Sequence, residues 1–321
     1  MIWKRLSRSE TFVAIIALTP TFLGCGSDEE TVNSITPIIP VLYPNHDDRP
    51  RWSPDGAQIL YFHSGITGTD QYTFQVDPTV RGLWSVDMMG KTSFLLRAVN
   101  IHGEVSHAGD RIAISAGGNI YIAALAAGGI DSLSVYVLTS GGSDHFPTWS
   151  PGDSLIAYES NADSQGYRVH VVDLTGVEAS ALPFPSREPS WFPDGEQIAF
   201  SWTPARLSEE VGRYDVRTST HVRLTNNGLI RDHWPSVSPT GNQVLYTRIE
   251  QRPAEIWLMN ADGSNAHFVT KGAQATWAPD GASFAFVYQP DSNIPGLGTL
   301  WLSDVNGSRP EQLTGPYAPV P

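Results

Sequence analysis

One cysteine in 321 residues excludes a disulfide framework and any thiolate-rich zinc or iron-sulfur site. Basic residues are also scarce. With 20 Lys and Arg against 33 Asp and Glu, the net charge is -13, so the chain has no cationic face for a nucleic-acid backbone. Long runs of helix formers are missing, and four methionines contrast with ten tryptophans. What is abundant is 29 Gly and 24 Pro, the composition of many short strands joined by tight turns. A 40% hydrophobic content suffices for a core and excludes wholesale disorder.

The first 24 residues read as an address. Lys4, Arg5 and Arg8 precede an apolar run from Phe12 to Leu23 that is shorter than the roughly 20 residues a spanning helix needs, so it reads as a signal peptide. Phe22-Leu23-Gly24-Cys25 resembles the lipobox of bacterial lipoproteins, which implies acylation of Cys25 and loss of residues 1 to 24. Processing there removes three basic residues and Glu10 and leaves the body more acidic still. Residues 25 to 45 read as a tether, acidic at first and then stiffened by Pro37, Pro40 and Pro44. The apolar stretch Ile35 to Leu42 is expected to add an outer strand to the body if it docks.

The remainder repeats. Trp52-Ser53-Pro54-Asp55-Gly56 returns at Trp149, Trp191, Val237 and Trp277, with a degenerate copy at Val105. The spacing is about 45 residues, one four-stranded propeller blade. Seven and nine residues after each anchor stand apolar residues, as in Ile59 and Tyr61 or Ile198 and Phe200, and those between them are apolar too. A strand covered by a neighbour on both faces needs that pattern. Ser, Pro, Asp and Gly in this order suit a type I turn, so the motif is a hairpin corner between the first two strands of a blade. The stretch from Ser64 to Arg81 reads as an insertion.

These blocks, with Pro50, Pro147, Pro189 and Pro235 two residues before their anchors, resemble the WD-like repeats of the TolB type. The resemblance implies an all-β fold, a six-bladed β-propeller of four-stranded antiparallel blades over residues 46 to 321.

Apparent catalytic strings dissolve. Gly90-Lys91-Thr92 lacks the first glycine of a phosphate loop, Gly141 to His145 lacks the second glycine of a nucleophile elbow, and Asn260 to Gly263 lacks the distal Glu of a calcium loop. One column remains. Asp47, Asp48, Asp144, His145, Arg187, Asp232 and His233 stand four or five residues before the anchors, with His102 and Glu188 one step on, where innermost strands open at one mouth of the channel. Trp234 follows them, and Trp202 and Tyr72 read as rim aromatics. The bland reading gives the aspartates to loop backbone, since an Asp there is part of the TolB-type consensus.

Two functions compete. The first is a non-catalytic lipoprotein scaffold at a bacterial envelope, on the periplasmic face of the outer membrane or the cell surface, binding a protein, peptide or glycan at that mouth. It needs no cofactor and no nucleic acid. The second, by resemblance to oligogalacturonate lyases, is a metal-dependent lyase in which His102, His145 and His233, with Asp144 and Asp232, hold a divalent cation and Arg187 neutralises a substrate carboxylate. About 20 residues between Cys25 and the first repeat leave no room for the α/β domain that precedes the propeller in TolB, so membership of the Tol-Pal complex is not expected.

Overall fold

A computed structural model describes residues 47–69, 74–98, 101–126, 129–162, 166–205, 208–250, 253–288, 298–308 and 310–314. The signal segment, Cys25, the tether with Ile35 to Leu42, and Tyr72 lie outside the described residues. Every described element is a strand, and no described helix is long and apolar enough to cross a membrane.

Each repeat forms an antiparallel meander. In the first, Asp47–Trp52 pairs with Gln58–His63, which pairs with Gly82–Asp87 and then Thr92–Arg97. The corner follows from the local chemistry. Gly56 N donates to Ser53 O at 2.9 Å, and Ser53 Oγ and Asp55 Oδ1 tie the turn internally at 2.6 Å. Gly56 takes φ +69°, and in the permuted corner Ser150-Pro151-Gly152-Asp153 the fourth position falls to Asp153 at φ +52°. The predicted two-sided strands are buried on both faces. Ile59 and Tyr61 are at most 1% exposed and their neighbours Leu60 and Phe62 remain buried. The insertion after Ser64 forms its own hairpin, Ile66–Thr69 with Phe74–Val76.

Apolar clusters lie between successive meanders. Leu60 and Leu83 pack on Ile112, Ala113 and Ile122 meet Trp149 and Ile156, and Ala157 and Val171 meet Trp191 and Phe200. The series continues until Ile59 and Val86 meet Ala285 and Leu300, so the last meander packs on the first. The first strands, Asp47–Trp52, His102–Val105, Asp144–Trp149, Ser186–Trp191, Arg231–Val237 and Ala273–Trp277, touch one another in that order and close on themselves. The architecture is an all-β propeller.

Six separate four-stranded sheets, as the repeats predict, are not what the hydrogen bonding displays. Three sheets have four strands. The meander that starts at His102 has five, because its outer strand is split into Gly129–Ile130 and Tyr136–Val137. The strands from Ser186 to Lys271 form a single eight-stranded sheet, in which one parallel pairing, Glu209 with Arg231, fuses two meanders. Among the described residues the ring closes without an exchanged strand. Glu311–Gln312 completes the last meander on Trp301 and Leu302, Thr314 Oγ1 donates to Asp47 Oδ2 at 2.6 Å, and Asp47 N donates to Gly298 O at 3.2 Å.

Candidate functional site at the channel mouth

The first strands carry a device that the repeats do not announce. In five of the six the register slips at one place, between Asp48 and Arg51, His145 and Thr148, Arg187 and Ser190, His233 and Ser236, and Ala273 and Thr276. The bulged residues Arg49, Phe146, Glu188, Trp234 and Gln274 all take φ between +48° and +57°. A left-handed L-residue costs about 1 kcal/mol or more, and a bulge re-aims a side chain. Here all five turn inward. With Arg51, Pro235 and Ala275 they leave only about 20 Å³ between them, so they close this end of the channel. The strand His102–Val105 has no bulge and pairs in unbroken register with Arg111–Ala116, which places His102 opposite Ser115.

The plug is held by mixed contacts. The Arg49 guanidinium lies 3.9 Å over the Phe146 ring and touches His102 Nε2, and Arg49 N donates to Gln274 Oε1 at 2.8 Å. Glu188 accepts from Ser201 Oγ at 2.5 Å and Trp234 N at 3.0 Å.

Three aspartates of the predicted ligand column, Asp47, Asp144 and Asp232, are bonded to protein groups. Asp47 accepts from Thr314 Oγ1 and contacts His63 Nδ1 at 2.8 Å. Asp144 accepts from Thr139 Oγ1 and Ser160 Oγ, both at 2.5 Å, and from Gly141 N. Asp232 takes both arms of Arg248 at 2.9 and 3.1 Å and the Asn227 amide at 2.5 Å. All three are at most 2% exposed. A buried carboxylate is stable only with its lone pairs filled, and each of these is filled by groups of its own meander together with residues that precede it or close the ring. Asp48 stays beside the mouth, 3.1 Å from Arg49 Nε, and burial pushes its carboxyl up against the pull of that cation.

The three histidines of the predicted metal set are not gathered either. His102 is engaged on both nitrogens, by Arg49 and by Ser115 Oγ at 3.1 Å, and burial together with the charge of Arg49 drives its imidazole well below its ordinary value. A guanidinium against the ring repels a divalent cation. His233 lies between two glutamates, 2.6 Å from Glu209 and 3.8 Å from Glu188. Burial alone would lower it, but the carboxylates of Glu188 and Glu209 prevail and hold the imidazolium up to about 9. Among the described residues no three His, Cys, Asp or Glu side chains converge as a cation site. Only His145 is left half open, and burial and the cations Arg49 and Arg187 lower it. Arg187 is anchored on fully buried Glu159 at 3.3 Å and remains 43% exposed. Of the predicted column, then, Asp48, His102, His145, Arg187, Glu188, His233 and Trp234 stand at the mouth. Trp202 does not line it. Its ring packs on Phe184 and His221, with centroids 5.6 and 5.5 Å away.

Arg49, Phe146, Gln274 and Glu209 escaped the sequence reading. The first three share a signal, the position three residues before each anchor, but reading it requires knowing that the strand bulges there. At its other end the channel widens to about 430 Å³, walled by the corner residues of the repeats, including Pro54, Pro151, Pro193, Pro239 and Pro279.

Against known proteins, a solved structure assigned to TolB from Agrobacterium tumefaciens superposes with a TM-score of 0.62 at 20% identity, over 70% of this chain and 84% of that one. The likeness shows the fold, a β-propeller similar to that one. An uncharacterized protein of Agrobacterium fabrum is 28% identical over 263 residues, covering 75% of this chain and 84% of its own length. A manganese complex of oligogalacturonate lyase has a TM-score of 0.54 at 12% identity, over 85% of this chain and 77% of its own. No protein-family model matches the chain.

Proposed function

We propose that this TolB-type propeller is a non-catalytic binding scaffold of a bacterial envelope, anchored through Cys25, that presents its plugged mouth to a protein, peptide or glycan. The propeller counts six blades in this reading, because the eight-stranded sheet is two meanders fused by one residue pair and six first strands line the channel. The observation that carries the proposal is how the mouth spends its polar groups. Asp47, Asp144 and Asp232 bind the ring, while His145 and Arg187 remain partly exposed. The apolar run ending at Cys25 supports the anchor, since an acidic body has no charge affinity for an anionic membrane and acyl chains contribute about 0.8 kcal/mol per buried CH2.

Crosslinking the full chain in solubilised membranes, with a photoreactive group at position 187, tests the reading. A reproducible adduct that is lost when the group moves to the outer strand at Thr220 is expected. Labelling alike at both positions overturns it.

The lyase alternative has the manganese-bound neighbour in its favour. The residues present do not fit the ion, for the reasons given for His102 and His233. Stoichiometric manganese on the purified body, abolished in His145→Ala, would reinstate it.

A further inference from the structure

Glu188 and Glu209 crowd His233 at the mouth. Nearby, Arg49 is paired with Asp48 and Arg187 with Glu159, and burial lowers the imidazoles of His102 and His145. There one ring organises the surface. Arg187 lies 4.5 Å over Tyr167, and the His145 ring centre is 6.1 Å from the same ring. A guanidinium and an imidazole therefore flank a single phenol.

Their bonding capacity is unspent. Arg187 uses Nε and Nη2 toward Glu159 at 3.4 and 3.3 Å, which leaves Nη1 to solvent. Glu159 is fully buried, so Arg187 is held in place from below. Neither the imidazole nitrogens of His145 nor the Tyr167 hydroxyl is hydrogen-bonded to another described residue. Beside them Phe146 offers a ring edge next to Arg49.

We infer that Arg187, His145 and Tyr167 form a subsite for a carboxylate carried on a flat apolar body, the charge taken by the guanidinium, imidazole and phenol and the body by the rings of Tyr167 and Phe146. The planar fork of arginine matches a carboxylate, and a neutral imidazole can donate one N–H to it. Glu159, Glu188, Asp48 and Asp144 oppose the anion, and Arg49, itself paired with Asp48, offsets them only in part, so the direct bonds to Arg187, His145 and Tyr167 must carry it. The inference rests on the mouth being the binding face and names the chemistry it recognises there.

The test is proton NMR titration of the His145 imidazole in the full chain with benzoate, with inorganic phosphate in parallel. Saturable binding of benzoate that raises the His145 titration point is expected, with phosphate at least tenfold weaker. Arg187→Met is expected to weaken benzoate at least tenfold. It leaves Glu159 buried without its partner, so Tyr167→Phe and His145→Gln, the latter followed by the benzoate proton signals because it lacks the reporting imidazole, serve as milder variants, each expected to cost a few-fold in affinity at unchanged Tm. No saturable response, phosphate binding as well as benzoate, or undiminished affinity in folded Tyr167→Phe and His145→Gln overturns the inference. Those outcomes leave the scaffold reading intact if position 187 still crosslinks a partner.

Discussion

Two kinds of seam join the meanders. At four of them the anchor tryptophan donates its indole N–H to the backbone of the preceding meander: Trp52 to Thr276 O at 3.2 Å, Trp149 to Glu104 O at 2.9 Å, Trp191 to Thr148 O at 3.3 Å and Trp277 to Ser236 O at 3.0 Å. At the other two the anchor is Val105 or Val237, and charge takes over. Arg51 bonds Glu104 at 3.1 Å beside Val105, while His233 pairs with Glu188 and Glu209 beside Val237. The fused sheet occurs at the Val237 seam, where Glu209 and Arg231 pair. The indole's share of a tryptophan seam, an apolar contact plus a neutral hydrogen bond, should ignore pH and salt, although Glu104 also accepts from Thr148 Oγ1 and Trp149 N across the Trp149 seam at 2.8 and 3.0 Å. A valine seam should respond to both.

The largest break in this comparison comes from Trp149→Ala, because Trp149 is 1% exposed and its loss opens a cavity in addition to removing the hydrogen bond. We expect about 3–5 kcal/mol of lost stability by urea denaturation, with little change between pH 6 and 9. A loss below about 1 kcal/mol would show that the indole is dispensable.

Next comes the pH response of the Val237 seam. The folded-state value of His233, about 9, lies above its ordinary 6.5, so its contribution is complete below about 6.5 and disappears as pH rises through 9. The full swing is about 3 kcal/mol or less. Tm should fall across that window in the parent and stay flatter in His233→Gln. Equal slopes would remove the distinction between the seams. Glu188, burial notwithstanding, is held down to about 2 by His233, Ser201 and Arg187, so its contribution is present above about 4.5 and lost as pH falls through 2.

The smallest effect is expected from Arg51→Gln. The pair it makes with Glu104 is partly exposed, so we expect about 0.5–1 kcal/mol at low salt and less at high salt. Salt-independent loss would mean that Arg51 acts through packing on Pro50 O and the channel wall.

Much of the fold was legible because each repeat is a local unit. The Ser-Pro-Asp-Gly corner, the two-sided strand behind it and the hairpin insertion depend on residues within about ten positions of one another, so periodicity exposes them. The site was legible only in outline. The aspartates at strand entries were found by column, but a column cannot say which way a side chain turns. Asp232 turns to Arg248 and Asp47 to Thr314, 267 positions away. Glu209 escaped notice because it reaches His233 from a strand partner outside the repeat frame.

Sequence alone therefore settled the repeat unit, its corners and the anchors that face a neighbour, since these follow from short-range backbone preference and the alternation of apolar residues. Tertiary structure decided how the ring closes, which end of the channel is shut, and which polar groups at the mouth are spent on holding it together. Those answers depend on five left-handed bulges converging from distant repeats and on buried charges finding their partners. Both are properties of the closed ring and of no single repeat.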